Sequence, residues 1–441
     1  MKKQTVVKLA FAALALALTF HAEARDEDEA RQIAVDAISR VSHRLKAPTD
    51  GQMIGVEIVN DSVASADSRV RVYSSREGFA VVSLNDNTPA LLAVSERPIS
   101  SDGGNPAFRQ WLEAVTAVAN EATTPLQVTT PDPDKYRTEV EPLISTQWGQ
   151  FAPFFYMCPM ENPSEHVGEY YPADNHCVVG CVAVTAAQIM NYYRFPSNGK
   201  GSAQITMTDW DSLTDVVFSV NFGESTYDYD NMLLSYPEDG YSETQGRAVA
   251  QLMYHCGVMS DMIYSVDGSG TSNGNAINGM IDHFDYDPAG EEIDRYFSTE
   301  KVWMNTLYNE INQNRPVMYA GYTYDEATDD IGGHSFIIDG YDADGMVHVN
   351  WGWAGDSDGM YDISILNPPD TGWSFEYYQS MVIGVRPNPS AVDVVKVNPA
   401  VNAPTGVFSI DGRRLRSDGA SRGSLPPGFY IIDGKKCRVN F

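Results

Sequence analysis

Cys181 is the residue in this sequence that is best placed to act as a nucleophile. It follows Gly180 and opens a run, 182–193, whose apolar residues fall on one face of a helix. A helix N-terminus presents unpaired N–H groups and the positive end of the helix dipole, and both favour a thiolate over a thiol. A single cysteine is ordinarily a buried structural residue. Gly180 favours the reactive alternative, because a residue without Cβ lets a substrate backbone approach closely.

A thiolate nucleophile needs a partner for proton transfer, and His334 is the predicted base. It enters an apolar strand from a pair of glycines, and Asn350 and Trp351 follow sixteen residues later on the next predicted strand. An asparagine carbonyl can fix the tautomer of an imidazole, and an indole can shield that hydrogen bond from water. The pattern predicts a Cys/His/Asn arrangement with Asn350 beside His334, whereas His348 on the same strand is predicted to be structural.

The elements that position these groups divide into an earlier helical part and a later sheet part. Two helices and three strands are predicted from the periodicity, at 182–193, 246–256, 316–320, 335–340 and 346–351. Helices followed by an antiparallel sheet indicate an α+β domain. We place this domain at residues 136–388.

The N-terminal part of the sequence indicates a leader followed by a small separate domain. Two lysines, an apolar run and the small-x-small pattern Ala22-Glu23-Ala24 predict a signal peptide over residues 1–24. An amphipathic helix from Asp28 and short strands between residues 69 and 94 then predict an α+β unit. The prolines of 123–136 break the periodicity, so this unit is placed at 25–135.

The C-terminal residues 389–441 follow a proline-punctuated linker. Their apolar segments are separated by Asp-Gly pairs at 411–412 and 433–434, which are typical of hairpin turns. We predict a small all-β module.

Composition excludes several classes of partner. The 441 residues include 30 Lys and Arg against 59 Asp and Glu, a formal charge of -29 that disfavours nucleic acid. After the leader, no segment has the about 20 consecutive apolar residues of a membrane span. The sequence has no His-Glu-x-x-His pattern and no cysteine pair with ligand-spaced histidines, so neither a metal nor another cofactor is expected.

Five cysteines leave at least one unpaired thiol if the others form disulfides. Cys256 lies in an apolar stretch and is expected to be buried as a small hydrophobic residue. Cys177 is either a disulfide partner of Cys158 or a free thiol. A bond between Cys177 and Cys181 is the remaining alternative, and it would block the nucleophile.

Three motifs in this order resemble the streptopain family of papain-like cysteine peptidases: Gly180-Cys181-Val182-Ala183, Gly333-His334-Ser335-Phe336 and His348-Val349-Asn350-Trp351-Gly352-Trp353. The resemblance covers about residues 137–387 and implies an α+β, papain-like fold with two subdomains. It also implies Cys181 as nucleophile, His334 as general base, and Asn350 with Trp351 as the groups that orient and shield His334.

The same resemblance implies further site residues. Gln150 matches the family's oxyanion glutamine, and its amide with the Cys181 N–H would supply two donors to the developing charge. The substrate-binding residues expected from the resemblance are Ser269, Gly270, Gly333 and Trp353. The loop around Ser269 is equally consistent with an ordinary surface loop. Residues 368–376 replace a glycine-rich loop of the family, so its substrate preference is not carried over.

The predicted function is that of a secreted cysteine endopeptidase made as a zymogen. Residues 81–95 resemble the family's propeptide, so its partners are expected to be protein or peptide substrates and its own propeptide as an inhibitor. Residues 425–436 resemble sorting domains of the type IX secretion system, which implies a secreted or cell-surface location. Two alternatives stay open: a transglutaminase-like acyltransferase, because the triad does not decide between water and an amine, and a non-catalytic surface adhesin on the same fold.

Overall fold

The computed structural model describes residues 25–45, 57–58, 68–101, 103–164, 168–209, 213–325, 330–366 and 378–390, and four short strands between 407 and 439. The predicted signal peptide, the two Asp-Gly turns and the loop at 368–376 lie outside the described residues. The chain forms two compact units, residues 1–388 and 389–441.

Six α-helices lie within the described residues: α1 (Glu27–Leu45), α2 (Pro106–Glu121), α3 (Cys181–Tyr193), α4 (Glu243–Met259), α5 (Asn273–Phe284) and α6 (Glu300–Asn312). Side-chain caps define several of their starts. Ser242 and Gln245 form a capping box at α4, and Asn105 accepts the Phe108 N–H at α2. Of these described helices, none is long and apolar enough to cross a membrane.

The first unit contains twelve described strands: β1 (Glu57–Ile58), β2 (Val70–Ser75), β3 (Gly78–Ser83), β4 (Leu91–Ser95), β5 (Ser202–Asp209), β6 (Thr214–Asn221), β7 (Glu291–Asp294), β8 (Val317–Asp325), β9 (Asp330–Tyr341), β10 (Val347–Asn350), β11 (Gly359–Tyr361) and β12 (Tyr378–Ile383). β5 and β6 form a hairpin of their own. The other ten form one antiparallel sheet in the order β1-β2-β3-β4-β11-β10-β9-β8-β12-β7.

The junction between β4 and β11 joins the N-terminal strands to the later ones. Val94 pairs with Met360 and Ala93 with Tyr361, so two segments that are far apart in sequence share one sheet. The N-terminal part, predicted as a separate unit, therefore extends the sheet of the later domain.

The two faces of the sheet carry different cores, because successive side chains of a strand point to opposite faces. Ile337 of β9 packs with the helices α3, α4 and α5. Its neighbours Phe336 and Ile338 pack on the other face with α2, α6 and Trp351. Helices on both faces thus cover the middle of the sheet, and Cys181 and His334 lie on two elements that meet there, α3 and β9.

The second unit is described only by its backbone. Its strands are β13 (Val407–Ser409), β14 (Arg414–Arg416), β15 (Gly428–Ile432) and β16 (Lys435–Val439). They form an antiparallel sheet in the order β14-β13-β15-β16.

Candidate active site

The turn before α3 places Cys181 at the first position of that helix. Gly180 precedes it with φ 88° and ψ 132°, a conformation that L-residues with a side chain rarely adopt. A Cβ on Gly180 would lie 2.8 Å from the Met262 side chain and 3.0 Å from the Ser269 carbonyl oxygen. Glycine is therefore required here both by the backbone and by the packing.

The surroundings of Cys181 favour its thiolate. Burial raises the pKa of Cys181, but the hydrogen bond and charge of His334 and the N–H groups of Ser335 and Val182 outweigh burial, so the pKa is lowered overall. The Ser335 N–H donates to Sγ at 3.4 Å. A cysteine with a lowered pKa beside an imidazole is an activated nucleophile.

The other cysteines with described side chains are buried, free thiols. Burial raises the pKa of Cys177 to about 12, and it also raises the pKa values of Cys158 and Cys256. The structure thus contains neither a Cys158–Cys177 nor a Cys177–Cys181 disulfide, and Cys256 is buried as expected.

His334 lies on β9 with one ring nitrogen committed to the main chain. Nε2 lies 2.7 Å from the carbonyl oxygen of Trp351. A carbonyl can only accept, so Nε2 carries the hydrogen, and Nδ1 is left for the Cys181 thiol. The ring also lies 6.2 Å, centroid to centroid, from each of the indoles of Trp351 and Trp353.

Asn350 is not placed as the sequence predicts. Its Nδ2 donates to the Thr146 carbonyl at 2.9 Å, and its Oδ1 accepts from Gln188 Nε2 at 3.1 Å. On the paired strands Asn350 is opposite Ile337, an odd number of residues from His334, so the two side chains leave opposite faces. The expected bond from Asn350 to His334 is therefore replaced by one from His334 to the Trp351 carbonyl.

The two tryptophans stand in different environments. Trp351 is buried and packs against Phe336 at 4.8 Å and Tyr361 at 5.3 Å, so it supports the histidine from within the core. Trp353 is half-buried and lies 6.0 Å from Phe151, whose side chain is 52% exposed. Sequence reasoning missed Phe151, although it directly follows Gln150.

Gln150 is buried next to the segment that leads to Cys181. Its main-chain carbonyl accepts the Val179 N–H at 3.1 Å, two residues before Cys181. Two residues before Gln150, the Trp148 carbonyl accepts the N–H of Ala354, the residue after Trp353, at 3.0 Å. The structure thus brings Gln150 into the same region as Cys181 and Trp353.

The expected substrate-binding residues fall into two groups. The Ser269 hydroxyl is buried and donates to the Val178 carbonyl at 2.6 Å, so it holds its loop in place. Gly270 and Gly333 are exposed. A Cβ on Gly270 would meet nothing within 4 Å, whereas one on Gly333 would lie 2.4 Å from the Tyr322 ring.

Ser335 is a second residue that sequence reasoning missed. Its N–H faces the Cys181 thiol, and its hydroxyl donates to Oδ1 of the buried Asn273 at 2.7 Å. Asn273, the first residue of α5, therefore holds Ser335, whose N–H donates to the Cys181 sulfur. Only its position next to His334 in the sequence could have indicated this.

The N-terminal segment contacts the loop that follows Trp351 and the segment just before Gln150. Arg97 donates to Gln147 Oε1 at 2.5 Å, Ser95 to the Asp358 carbonyl at 2.6 Å, and Asn105 to the Asp356 carbonyl at 2.7 Å. All three bonds link residues before 136 to the neighbourhood of the site.

Known proteins share this architecture. Residues 148–361 match the Peptidase C10 family. The structure of a prointerpain A fragment from Prevotella intermedia is similar with a TM-score of 0.63 and 36% identity, over 76% of this chain and 100% of that one. The chain belongs to the peptidase C10 family. The predicted family, the α+β papain-like fold and the enzyme class are thereby confirmed, and the protein is a cysteine-type endopeptidase.

Two further relatives extend the comparison to the active form and to another genus. Active interpain A of Prevotella intermedia has a TM-score of 0.50 and 37% identity, over 58% of this C10 peptidase and 99% of that chain. Streptopain of Streptococcus pyogenes is 27% identical over 375 residues, which are 82% of this chain and 92% of streptopain.

Proposed function

We propose that this C10 peptidase is a secreted enzyme, made as a zymogen, that hydrolyses peptide bonds in proteins through an acyl-enzyme on Cys181. The observation that carries the proposal is that the Cys181 thiol has a lowered pKa and is paired with His334. Nε2 of His334 is hydrogen-bonded to the Trp351 carbonyl. No other cysteine with a described side chain combines a lowered pKa with a histidine partner.

The proposed reaction assigns one task to each group. Sγ of Cys181 forms a bond to the scissile carbonyl carbon, and the negative charge moves to the carbonyl oxygen. The side-chain amide of Gln150 and the N–H of Cys181 donate to that oxygen, an arrangement in which losing one donor typically costs about 10²–10³ in rate. Nδ1 of His334 holds the proton that it has taken from the Cys181 thiol, and it gives this proton to the leaving amine as the C–N bond breaks. It then takes a proton from the water whose oxygen bonds to the acyl carbon, and the C–S bond to Cys181 breaks to release the acid.

The zymogen proposal divides the chain at the stretch before residue 136. The precursor fragment of interpain A covers 76% of this chain and the active enzyme 58%, which supports an N-terminal propeptide at 25–135 and a peptidase domain at 136–388. Residues 122–135 contain neither helix nor strand and most are exposed, so a protease can enter there. Bonds such as that of Arg97 to Gln147 support inhibition by the propeptide.

Export completes the proposal. The sequence pattern of residues 1–24 supports a cleaved signal peptide, and that of 425–436 supports a type IX sorting signal within the C-terminal module, 389–441. N-terminal sequencing of the protein collected from a culture medium tests this part, and a mature chain that still begins at Met1 would contradict it.

The catalytic proposal is tested with the chain from residue 25 to 441 and an unlabelled protein substrate. Wild type is expected to give fragments whose masses sum to that of the substrate plus water. Cys181→Ala and His334→Ala should be inactive, and Cys177→Ala, the matched control, should remain active. Activity in Cys181→Ala would overturn the assignment, and transfer of the acyl group to an added amine instead of water would make the protein an acyltransferase.

A further inference from the structure

The carboxylate of Asp358 is hydrogen-bonded to Trp351, the residue whose main-chain carbonyl contacts His334. Oδ1 of Asp358 accepts the main-chain N–H of Trp351 at 2.8 Å. The carbonyl of the same Trp351 accepts from His334 Nε2 at 2.7 Å. Asp358 is thus connected to the imidazole through one residue of main chain.

Trp351 lies just outside β10, so its main chain is not fixed by strand pairing. β10 ends at Asn350, and Gly352 has a positive φ of 73°, so the chain turns out of the sheet at Trp351. Side chains hold the turn instead. Asp358 takes the Trp351 N–H, and Asn350 Oδ1 takes the Gly352 N–H at 3.1 Å.

Asp358 and Asn350 together fix the position of the Trp351 carbonyl. The N–H of Gly352 and the carbonyl of Trp351 belong to one planar peptide group, so Asn350 sets the tilt of that plane. Asp358 accepts the N–H of Trp351 and thereby limits rotation about the N–Cα bond of that residue. Without Asp358, the Trp351 N–H would lose its acceptor and the turn would be held from one side only.

We propose that Asp358 is a positioning residue for the peptidase reaction, holding the Trp351 carbonyl where it aligns His334 with Cys181. The inference rests on the proposed roles of Cys181 and His334 and adds a group that the sequence motifs do not reveal.

The surroundings of Asp358 hold the carboxylate in place. β11 begins at the next residue and pairs with β10, and in the zymogen the Asp358 main-chain carbonyl also accepts from the Ser95 hydroxyl at 2.6 Å. In the zymogen, burial raises the pKa of Asp358 to about 7, although the Trp351 N–H and the charges of His348 and of the propeptide residue Arg97 lower it. Asp339, which raises this pKa, is engaged with His348 Nδ1 at 2.6 Å.

The test compares Asp358→Ala with Asp358→Asn, which keeps an oxygen acceptor for the Trp351 N–H. Asp356→Ala is the matched control on the same loop, because its side chain contacts Ser100 and Ser357 rather than Trp351. Each full chain is processed to the active enzyme, and kcat, KM and melting temperature are measured. The rate of Cys181 alkylation by iodoacetamide is followed against pH by peptide mass spectrometry.

Asp358→Ala is expected to lower kcat about 10²-fold, as misplaced catalytic groups do, with KM changed little. Its Cys181 alkylation should require a higher pH, because His334 no longer stabilises the thiolate fully. Asp358→Asn should stay within about tenfold of wild type in kcat, because its amide oxygen still accepts the Trp351 N–H. Asp356→Ala should match wild type in kcat and in its alkylation profile.

Three results would overturn the inference: a kcat of Asp358→Ala equal to that of Asp356→Ala, an unchanged alkylation profile, or an Asp358→Asn as slow as Asp358→Ala. If Asp358→Ala does not fold, Asp358→Asn alone decides, and a loss of about 10²-fold in its kcat counts against the inference. An active Asp358→Ala beside inactive Cys181→Ala and His334→Ala would refute only the positioning role. An active Cys181→Ala would refute the proposed function first.

Discussion

At the scale of single residues, Cys181 differs from the other described cysteines in its neighbours. Cys158, Cys177 and Cys256 lie in the hydrophobic core, where burial is the largest effect on their thiols and raises their pKa values. Cys181 is partly buried, and burial alone would raise its pKa, yet His334 and two main-chain N–H groups reverse the direction of the shift. Reactivity therefore follows from the arrangement around α3 and β9.

The first prediction concerns the pH dependence of that thiol. Because the pKa of Cys181 is lowered, its thiolate persists below the pH at which an ordinary thiol becomes protonated. Iodoacetamide at about pH 7 should therefore modify Cys181 and leave Cys158, Cys177 and Cys256 unmodified, as judged by peptide mass spectrometry.

His334→Ala is the companion variant. It removes the hydrogen bond and charge that lower the Cys181 pKa, so burial should dominate and alkylation should move to higher pH. Equal labelling of all the cysteines in folded wild type, or an unchanged profile in His334→Ala, would be incompatible with this pairing.

The second prediction concerns the turn before Cys181. Gly180→Ala places a Cβ 2.8 Å from Met262 at a φ of 88° and should destabilise the fold by about 1–3 kcal/mol. The lower free energy of unfolding should be measurable by urea denaturation, and peptidase activity should be lost. Gly268→Ala is the control, because nothing lies within 4 Å of its Cβ. Similar behaviour of the two variants would contradict a special demand at Gly180.

Sequence reasoning at this scale identified residue types better than contacts. Cys181 and His334 could be found from a helix start and a double glycine. The partner of His334 could not, because a register shift next to Val349 and the alternation of β10 decide that Asn350 points to Gln188. The main-chain carbonyl that replaces it has no signature in a sequence.

At the scale of elements, several periodic segments were predictable and one long helix was not. The helix predicted at 182–193 is α3 (Cys181–Tyr193), and the strand predicted at 335–340 lies within β9 (Asp330–Tyr341). The helix α2 (Pro106–Glu121) was not predicted, although Asn105 and Pro106 mark its start. Its orientation depends on contacts with the loop after Trp351, which only the folded chain reveals.

The third prediction separates the two functions of Asn105. Its Oδ1 caps α2 through the Phe108 N–H, and its Nδ2 donates to the Asp356 carbonyl. Asn105→Asp keeps the cap and loses the second bond, whereas Asn105→Ala loses both and should cost about 1 kcal/mol more in unfolding. Both zymogens should be processed faster than wild type when trace active enzyme is added, as followed by gel electrophoresis. Processing of Asn105→Asp at the wild-type rate would show that the bond to Asp356 does not hold the propeptide.

At the scale of the whole molecule, one sheet joins the proposed propeptide and the peptidase. β4 pairs with β11 across more than half the chain, and such non-local pairing carries no local sequence signal. The sequence predicted a boundary near residue 135 and both α+β parts. It did not predict that they share a sheet, because strand order is decided by packing between distant segments.

The fourth prediction concerns activation of the full chain. Residues 122–135 lack helix and strand, so incubation of residues 25–441 should give cleavage near 130–140. Cys181→Ala should stay intact alone and be cut at the same place when trace wild-type enzyme is added. Identical banding of Cys181→Ala and wild type, each incubated alone under reducing conditions, would contradict self-activation.

The most direct measurement of the central claim is the mass of the enzyme during turnover. A peptide ester is mixed with the processed enzyme, the reaction is quenched in acid, and the digest is examined for an acyl group. The account predicts this group on Cys181, because only that described thiol combines a lowered pKa with a histidine partner, and predicts no acyl group in His334→Ala. An acyl group on another residue, or turnover without acylation of Cys181, would contradict the account.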